Sequence, residues 1–268
     1  MSLQSAHALP RGARWWLPLL VLVVLLLVWE VAVRRSAAQG LVPLPSGVLA
    51  SAVKLTANGV IIDAMSGSLA RVLIGFAFGA LVGIPLGLLI GILPVMDRAL
   101  RPVLDALRSI APIAWIPMAI LWLGVRGDAA LFVVAYGAVF PFIVNTSQAA
   151  RLIDRRLLAA ARALGAGPWI LLRSVMLPGS MPLIFTGARI ALAFAWASIV
   201  AAELAIGIKI QGQGRSVAGI GQLMVETLYV QRDVDALVFY MLTIGLVSLL
   251  IDAGLRWLQQ RLLPWSQH

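Results

Sequence analysis

The sequence predicts an all-α membrane protein with six transmembrane helices and a cytoplasmic helix–turn–helix loop. Three observations lead there. Of 268 residues, 61% are hydrophobic and only 12% are charged, where soluble domains hold roughly 45–50% and 25%. Six stretches stay apolar over the ~20 residues that a helix needs to cross a hydrocarbon core. Arginines are scattered between those stretches as orientation signals are, without the clustered basic face that nucleic acid requires. A soluble fold or a disordered chain would leave too much apolar surface in water.

The first span is Trp15–Val33, almost all Leu and Val, with Glu30 near its far end. It is longer than the ~7–15 residues of a signal-peptide core, so an uncleaved anchor is expected despite the small Ser36-Ala37-Ala38 that follows. Residues 1–14 form an N-terminal tail. Residues 68–258 form the core, as spans at about 68–93, 103–123, 129–148, 182–206 and 236–258. With the N-terminus inside, twelve cationic side chains fall in inside segments and eight outside. That excess favours both termini and the loop at about 149–181 in the cytoplasm.

Span two carries Gly75, Gly79, Gly83, Gly87 and Gly91. Four residues turn a helix by about 400°, so these glycines form one ridge where another helix can approach closely. Packing within the bundle and a seam between subunits both fit. Span three holds Pro112 and Pro117, flanked by Trp115 and Trp122, and is expected to kink, because each proline removes a backbone donor. Arg189 and Glu203 in span five, and Asp252 in span six, are ionisable groups at membrane depth and so candidates for function or for interhelical bonds. Fourteen residues separate Arg189 from Glu203, about 21 Å along a helix, so they cannot pair with each other. The outside segment 207–235 opens glycine-rich and continues as an interfacial helix over Gln222–Val230.

The rare residues exclude chemistry. There is no cysteine, and the two histidines, His7 and His268, lie near the chain ends. Thiolate chemistry therefore has no residue to use, and a histidine-based triad or metal centre is not expected. Neither Lys54 nor Lys209 follows a glycine, so the phosphate-cradling G-x-x-x-x-G-K-[ST] loop is absent. An intramembrane enzyme would need a cluster of polar catalytic groups that the sequence does not supply. A secondary transporter driven by an ion gradient, the alternative class, should show broken helices in both halves. Here only span three is broken.

The inside loop is the most specific feature. Leu157, Ala161 and Leu164 recur at helical spacing as an apolar stripe, with Arg151, Arg155 and Arg162 on another face. Gly165 suits a left-handed cap, and Pro168 the first turn of a second helix. Ala159-Ala160-Ala161, three residues, Gly165, nine residues, Val175, one residue, then Leu177-Pro178 resembles the EAA loop of permease subunits of ATP-binding-cassette importers. Ala159 stands where that pattern has Glu, and Val175 where it has Ile. Ala114–Gly124, Phe140–Thr146 and Ala201-Ala202-Glu203-Leu204 extend the likeness over about residues 42–265 and resemble the nitrate/sulfonate/taurine branch.

The resemblance implies a type I importer permease that forms the path for a small anion such as a sulfonate, taurine or nitrate. It implies a second permease copy, two ATPase subunits that hold the ATP and Mg, and an external solute-binding protein. Arg155, Ala159, Ala160, Ala161, Arg162, Leu164, Gly165, Leu177 and Pro178 are then the ATPase-docking loop. Trp115, Pro117, Asn145, Arg189 and Glu203 are the candidates for the solute path. No cofactor or metal is expected in this chain, and lipid is expected around it.

Overall fold

The computed structural model describes residues 16–36, 40–125, 127–206 and 219–263. The N-terminal tail, Ala37-Ala38, and Gly207, Gly212 and Gly214 of the glycine-rich segment lie outside the described residues. The helices are α1 (Trp16–Arg35), α2 (Pro45–Ala57), α3 (Val60–Ile92), α4 (Pro94–Ser109), α5 (Ile116–Leu123), α6 (Gly127–Leu152), α7 (Arg155–Ala163), α8 (Pro168–Leu171), α9 (Leu177–Ile206), α10 (Ile220–Glu226) and α11 (Val234–Leu262). Among the described residues, five spans are long and apolar enough to cross a membrane, with α8 and α9 joined into one from Pro168 to Ile206. The bent pair α4–α5 makes the sixth.

The glycine ridge decides the core. A Cβ on Gly75, Gly79, Gly83, Gly87 or Gly91 would lie 2.5–2.7 Å from a side-chain atom of Val134, Ala138, Phe142, Thr146 or Ala150, respectively. Both series rise by four residues, so α3 and α6 run parallel in one register, glycine against side chain. Close approach of this kind supplies the dispersion that lipid cannot replace. α9 lies antiparallel against the same pair, with Gly187 beside Asn145 and Ser198 beside Gly137. These three helices hold most of the buried residues, and α1 presents Leu and Val outward along nearly its whole length.

Parallel α3 and α6 also explain the sixth crossing. Both end on the side where Gly91 meets Ala150, so the chain between them must return through the full thickness. It does so in two pieces bent by 85°. The expected kinked helix over 103–123 is therefore corrected. Ile110 and Ala111 are extended, Pro112 starts a single 3₁₀ turn to Trp115, and Pro117 sits in the first turn of α5. A residue before proline is pushed out of the helical region, and proline itself suits a helix start. The prolines thus begin new helices here.

Two further elements differ from the sequence reading. The second helix of the loop starts at Pro168 as expected and runs on into span five. α8 passes through a wider π turn, Leu172–Met176, directly into α9. The helix expected over Gln222–Val230 starts at Ile220 and packs inward in its first part, while Leu228, Tyr229 and Val230 are exposed. Ile220, Gly221, Leu223, Met224 and Thr227 are buried against the bundle. α2 is tied to α11 by the Leu44 N–H, which donates to Asp235 Oδ1 at 2.8 Å, and to α1 by Ser46 Oγ, which donates to Glu30 Oε1 at 2.7 Å.

Candidate functional site

The loop between α6 and α9 is a capped elbow at one end of the bundle. Asp154 starts α7, its carboxylate accepting from the Arg156 N–H at 2.8 Å. Side-chain acceptors at this position satisfy an otherwise orphaned donor. At the other end the Ala166 N–H donates to Ala161 O at 3.0 Å and the Gly165 N–H to Arg162 O at 2.9 Å. This is the paired bonding of a Schellman cap, and Gly165 takes the left-handed φ of 81° that it requires. Nothing lies within 4 Å of where a Gly165 Cβ would be, so conformation and not space demands glycine.

The faces of α7 are divided. Arg155, Leu158 and Arg162 line a cavity of about 480 Å³ between α7 and the bundle, with Arg151 and Asp97 across it. Leu157 and Leu164 point away from the bundle and are 59% and 88% exposed. Ala159 and Ala160 are exposed and Ala161 is half-buried. Trp169, just past the elbow, is 68% exposed. The elbow therefore exposes Leu157, Leu164 and Trp169, while Arg155 and Arg162, themselves exposed, rim the cavity beneath α7. Leu177 and Pro178 lie in the first turn of α9, away from the elbow's tip.

A second cavity, of about 310 Å³, opens between α4, α6 and α9. Arg108, Tyr136 and Asn145 supply its polar groups, and Phe140, Ile190 and Phe194 much of its apolar wall. The Tyr136 hydroxyl donates to Leu107 O at 2.6 Å and holds the end of α4 against α6. The Asn145 amide donates to Pro141 O at 2.8 Å.

The solute-path candidates separate in three dimensions. Asn145 lines the 310 Å³ cavity. Trp115 packs in an aromatic cluster with Trp122, Phe132 and Tyr136, at 6.3, 6.3 and 5.2 Å between ring centroids. Pro117 is exposed in α5. Arg189 donates through Nε to Asp252 Oδ1 at 2.8 Å, and Arg256 reaches the other Asp252 oxygen at 2.8 Å.

Glu203 is buried and held from three sides. Ser68 Oγ donates to it at 2.8 Å and Arg71 Nη2 at 2.8 Å, both from α3, and the Gly221 N–H donates at 3.0 Å. The Ile220 N–H donates in turn to Ser68 Oγ at 3.0 Å. Arg189 and Glu203 thus serve interhelical pairs, and the structure does not bring them to the cavity.

Arg108, Tyr136, Ser68 and Arg71 were missed in the sequence. Arg71 lies three residues into the span expected from residue 68, where an ionisable group is itself a signal. Arg108 had a visible signal, because Asp97, Arg101, Asp105 and Arg108 recur every three or four residues along one helix face.

Comparison with known proteins agrees with this architecture. Residues 83–265 match the family described as binding-protein-dependent transport system inner membrane component. The bicarbonate transport system permease protein CmpB of Synechocystis sp. is 34% identical over 197 residues, 74% of this chain and 67% of the relative. SsuC of Escherichia coli, named for aliphatic sulfonates transport, is 35% identical over 258 residues, 96% of this chain and 92% of the relative. A chain of the MetNI methionine ABC transporter, solved in inward-facing conformations, superposes with a TM-score of 0.64 at 19% identity, covering 75% of this chain and 95% of that one. That structure bears on the fold alone. A match across residues 83–265, together with relatives of this identity and coverage, makes the chain a permease subunit of the binding-protein-dependent ATP-binding-cassette importers, the family of their inner membrane components.

Proposed function

We propose that this chain forms the path for a small anion in an importer driven by a separate ATPase. Two copies, acting as a homodimer, would join two ATPase subunits that hold ATP and Mg, and an external protein would deliver the solute. The chain would have no ATPase site of its own, since it lacks a phosphate-cradling loop. The relatives named for bicarbonate and for aliphatic sulfonates support an anion.

One observation carries the mechanism. The span Pro168–Ile206 begins three residues after Gly165 and contains Ile190 and Phe194 of the cavity wall. A rigid elbow carried by the ATPase would move one wall of the cavity directly. Alternating access needs no covalent step, only two arrangements of the helices around the solute. The outward leucines Leu157 and Leu164 would seat in the ATPase, while Arg155 and Arg162 rim the cavity beneath α7. Burying them there removes exposed apolar area from water.

Gly165→Val tests the elbow. A β-branched residue at a left-handed φ is strained by about 1–2 kcal/mol, relieved by reorienting the loop and not by unfolding the spans. Insertion and dimerisation should persist, while ATPase copurification weakens or hydrolysis uncouples from uptake. Uptake at the wild-type rate would show that the elbow is not the lever. Ala159→Glu should be tolerated, because position 159 is exposed.

Orientation is tested separately. Native thiols are absent, so Ser51→Cys and Ser174→Cys report alone. An impermeant thiol reagent applied to whole cells should label position 51 and spare position 174. The reverse pattern would place the elbow outside and end the ATPase reading.

A further inference from the structure

α4 carries charges where a membrane helix should have none. Asp97, Arg101, Asp105 and Arg108 follow one another at spacings of four, four and three residues, which keeps them on one face. Asp97 bonds Arg151 near the cytoplasmic end proposed above, and Leu107 O accepts from Tyr136. Tyr136 is nine residues into α6, about 13 Å from one end and about 24 Å from the other at 1.5 Å per residue. The face therefore climbs from one membrane surface to well within the bilayer. Charges at that depth face protein or water, not lipid.

What they face is open space. A groove of about 220 Å³ runs between α4 and α6 past Arg101, Asp105, Ser147 and Arg151. It shares Arg108, Phe140 and Val144 with the 310 Å³ cavity above it. It shares Asp97 and Arg151 with the 480 Å³ cavity beneath α7. The three spaces form one series from Tyr136 to the elbow. Arg108, Arg101, Arg151, Arg155 and Arg162 line it against Asp97 and Asp105, an excess of cationic side chains at every level.

We propose that the cavity at Arg108 is an anion-selecting station for an organic anion, and that the groove past Arg101 and Arg151 is its exit to the cytoplasm. Asp105 engages Arg108 through Nε at 3.1 Å. A guanidinium carries donors on two further nitrogens, which match the paired oxygens of a sulfonate or carboxylate. Tyr136 and Asn145 add polar groups beside it. Phe140, Ile190 and Phe194 oppose them with apolar surface, which an alkyl or aryl body covers and a bare inorganic ion leaves wet. Arg101 and Arg151 both pair with Asp97, so an arriving anion exchanges one carboxylate partner for another as it descends.

The inference rests on the importer reading, and its test does not depend on knowing the solute. Val144→Cys places a lone thiol where cavity and groove meet. In the assembled permease–ATPase complex, the anionic sulfonatoethyl methanethiosulfonate and its cationic trimethylammonium counterpart are compared, each rate normalised to a free thiol. A cavity of one charge sign raises counter-ion encounter by about ten-fold or more, so the anionic reagent should win by about that factor. Adding Arg108→Gln should abolish the preference and Arg108→Lys should retain it. Excess butanesulfonate should slow labelling more than equal nitrate does. Equal reagent rates, or a preference that survives Arg108→Gln, would overturn the station. Equal protection by nitrate would overturn its choice of an organic anion. Absence of ATP-driven uptake by the complete complex would instead remove the importer reading, a result that the reagent rates do not touch.

Discussion

Replacing Glu203 by Gln should lower the apparent melting temperature of the purified protein by roughly 10 °C. The carboxylate is almost fully buried and receives Ser68, Arg71 and the Gly221 N–H together. A neutral amide leaves the Arg71 cation without its buried counter-charge, and breaking such a pair costs about 3–5 kcal/mol. At the few degrees per kcal/mol typical of a chain this size, the shift is of the stated order. The loss should be local first. α10 is held to α3 and α9 through this cluster, so backbone amides of Ile220–Glu226 should lose hydrogen-exchange protection before those of α6. Gly219→Ala should do the same, because a Cβ there would lie 2.1 Å from the Glu203 carboxyl carbon. A melting temperature within a degree of wild type, with α10 still protected, would show that the cluster is not the anchor.

Gly83→Val should sharply reduce the yield of folded protein. Its Cβ would lie 2.6 Å from Phe142 Cβ and 2.8 Å from Val139 O. The second contact is backbone and cannot turn aside, so α3 and α6 must separate. Overpacking typically costs 1–3 kcal/mol or more, and here the parted helices lose neighbouring ridge contacts as well. Gly245→Val is the control, since nothing lies within 4 Å of a Cβ there. It should be produced at the wild-type level. Equal yields of the two variants would show that the ridge does not set the α3–α6 distance.

Features that depend on near neighbours along the chain were legible beforehand. The apolar runs fall inside the spans but miss three starts: α3 begins at Val60 and not near residue 68, the bent third crossing at Pro94 and not near 103, and the fifth span at Pro168 and not near 182. The Gly165 cap was legible because a Schellman turn is built from six consecutive residues, here Ala161–Ala166. The break at Pro112 was visible, but its size was not. Local sterics stop a helix before proline, whereas the 85° bend follows from the path back beside a parallel α6. The charged face of α4 is legible in the spacing of Asp97, Arg101, Asp105 and Arg108, but what it faces depends on α6.

The sequence by itself determined that this chain belongs in a bilayer, that it turns at a glycine-capped elbow, and that it has no cysteine for thiolate chemistry. Each of these follows from composition or from spacing within one helix. Tertiary structure alone decided which groups meet. The glycine ridge was legible, but its partner on α6, 59 positions away at every step, was not. Glu203 was singled out, yet Arg71 lies 132 residues earlier, and only the antiparallel packing of α9 on α3 brings them together. The cavity at Arg108 exists because Tyr136 holds the end of α4 against α6. The physical reason is common to all three. A helix sets where its own side chains point, and what they point at depends on the crossing and register of helices remote in the chain.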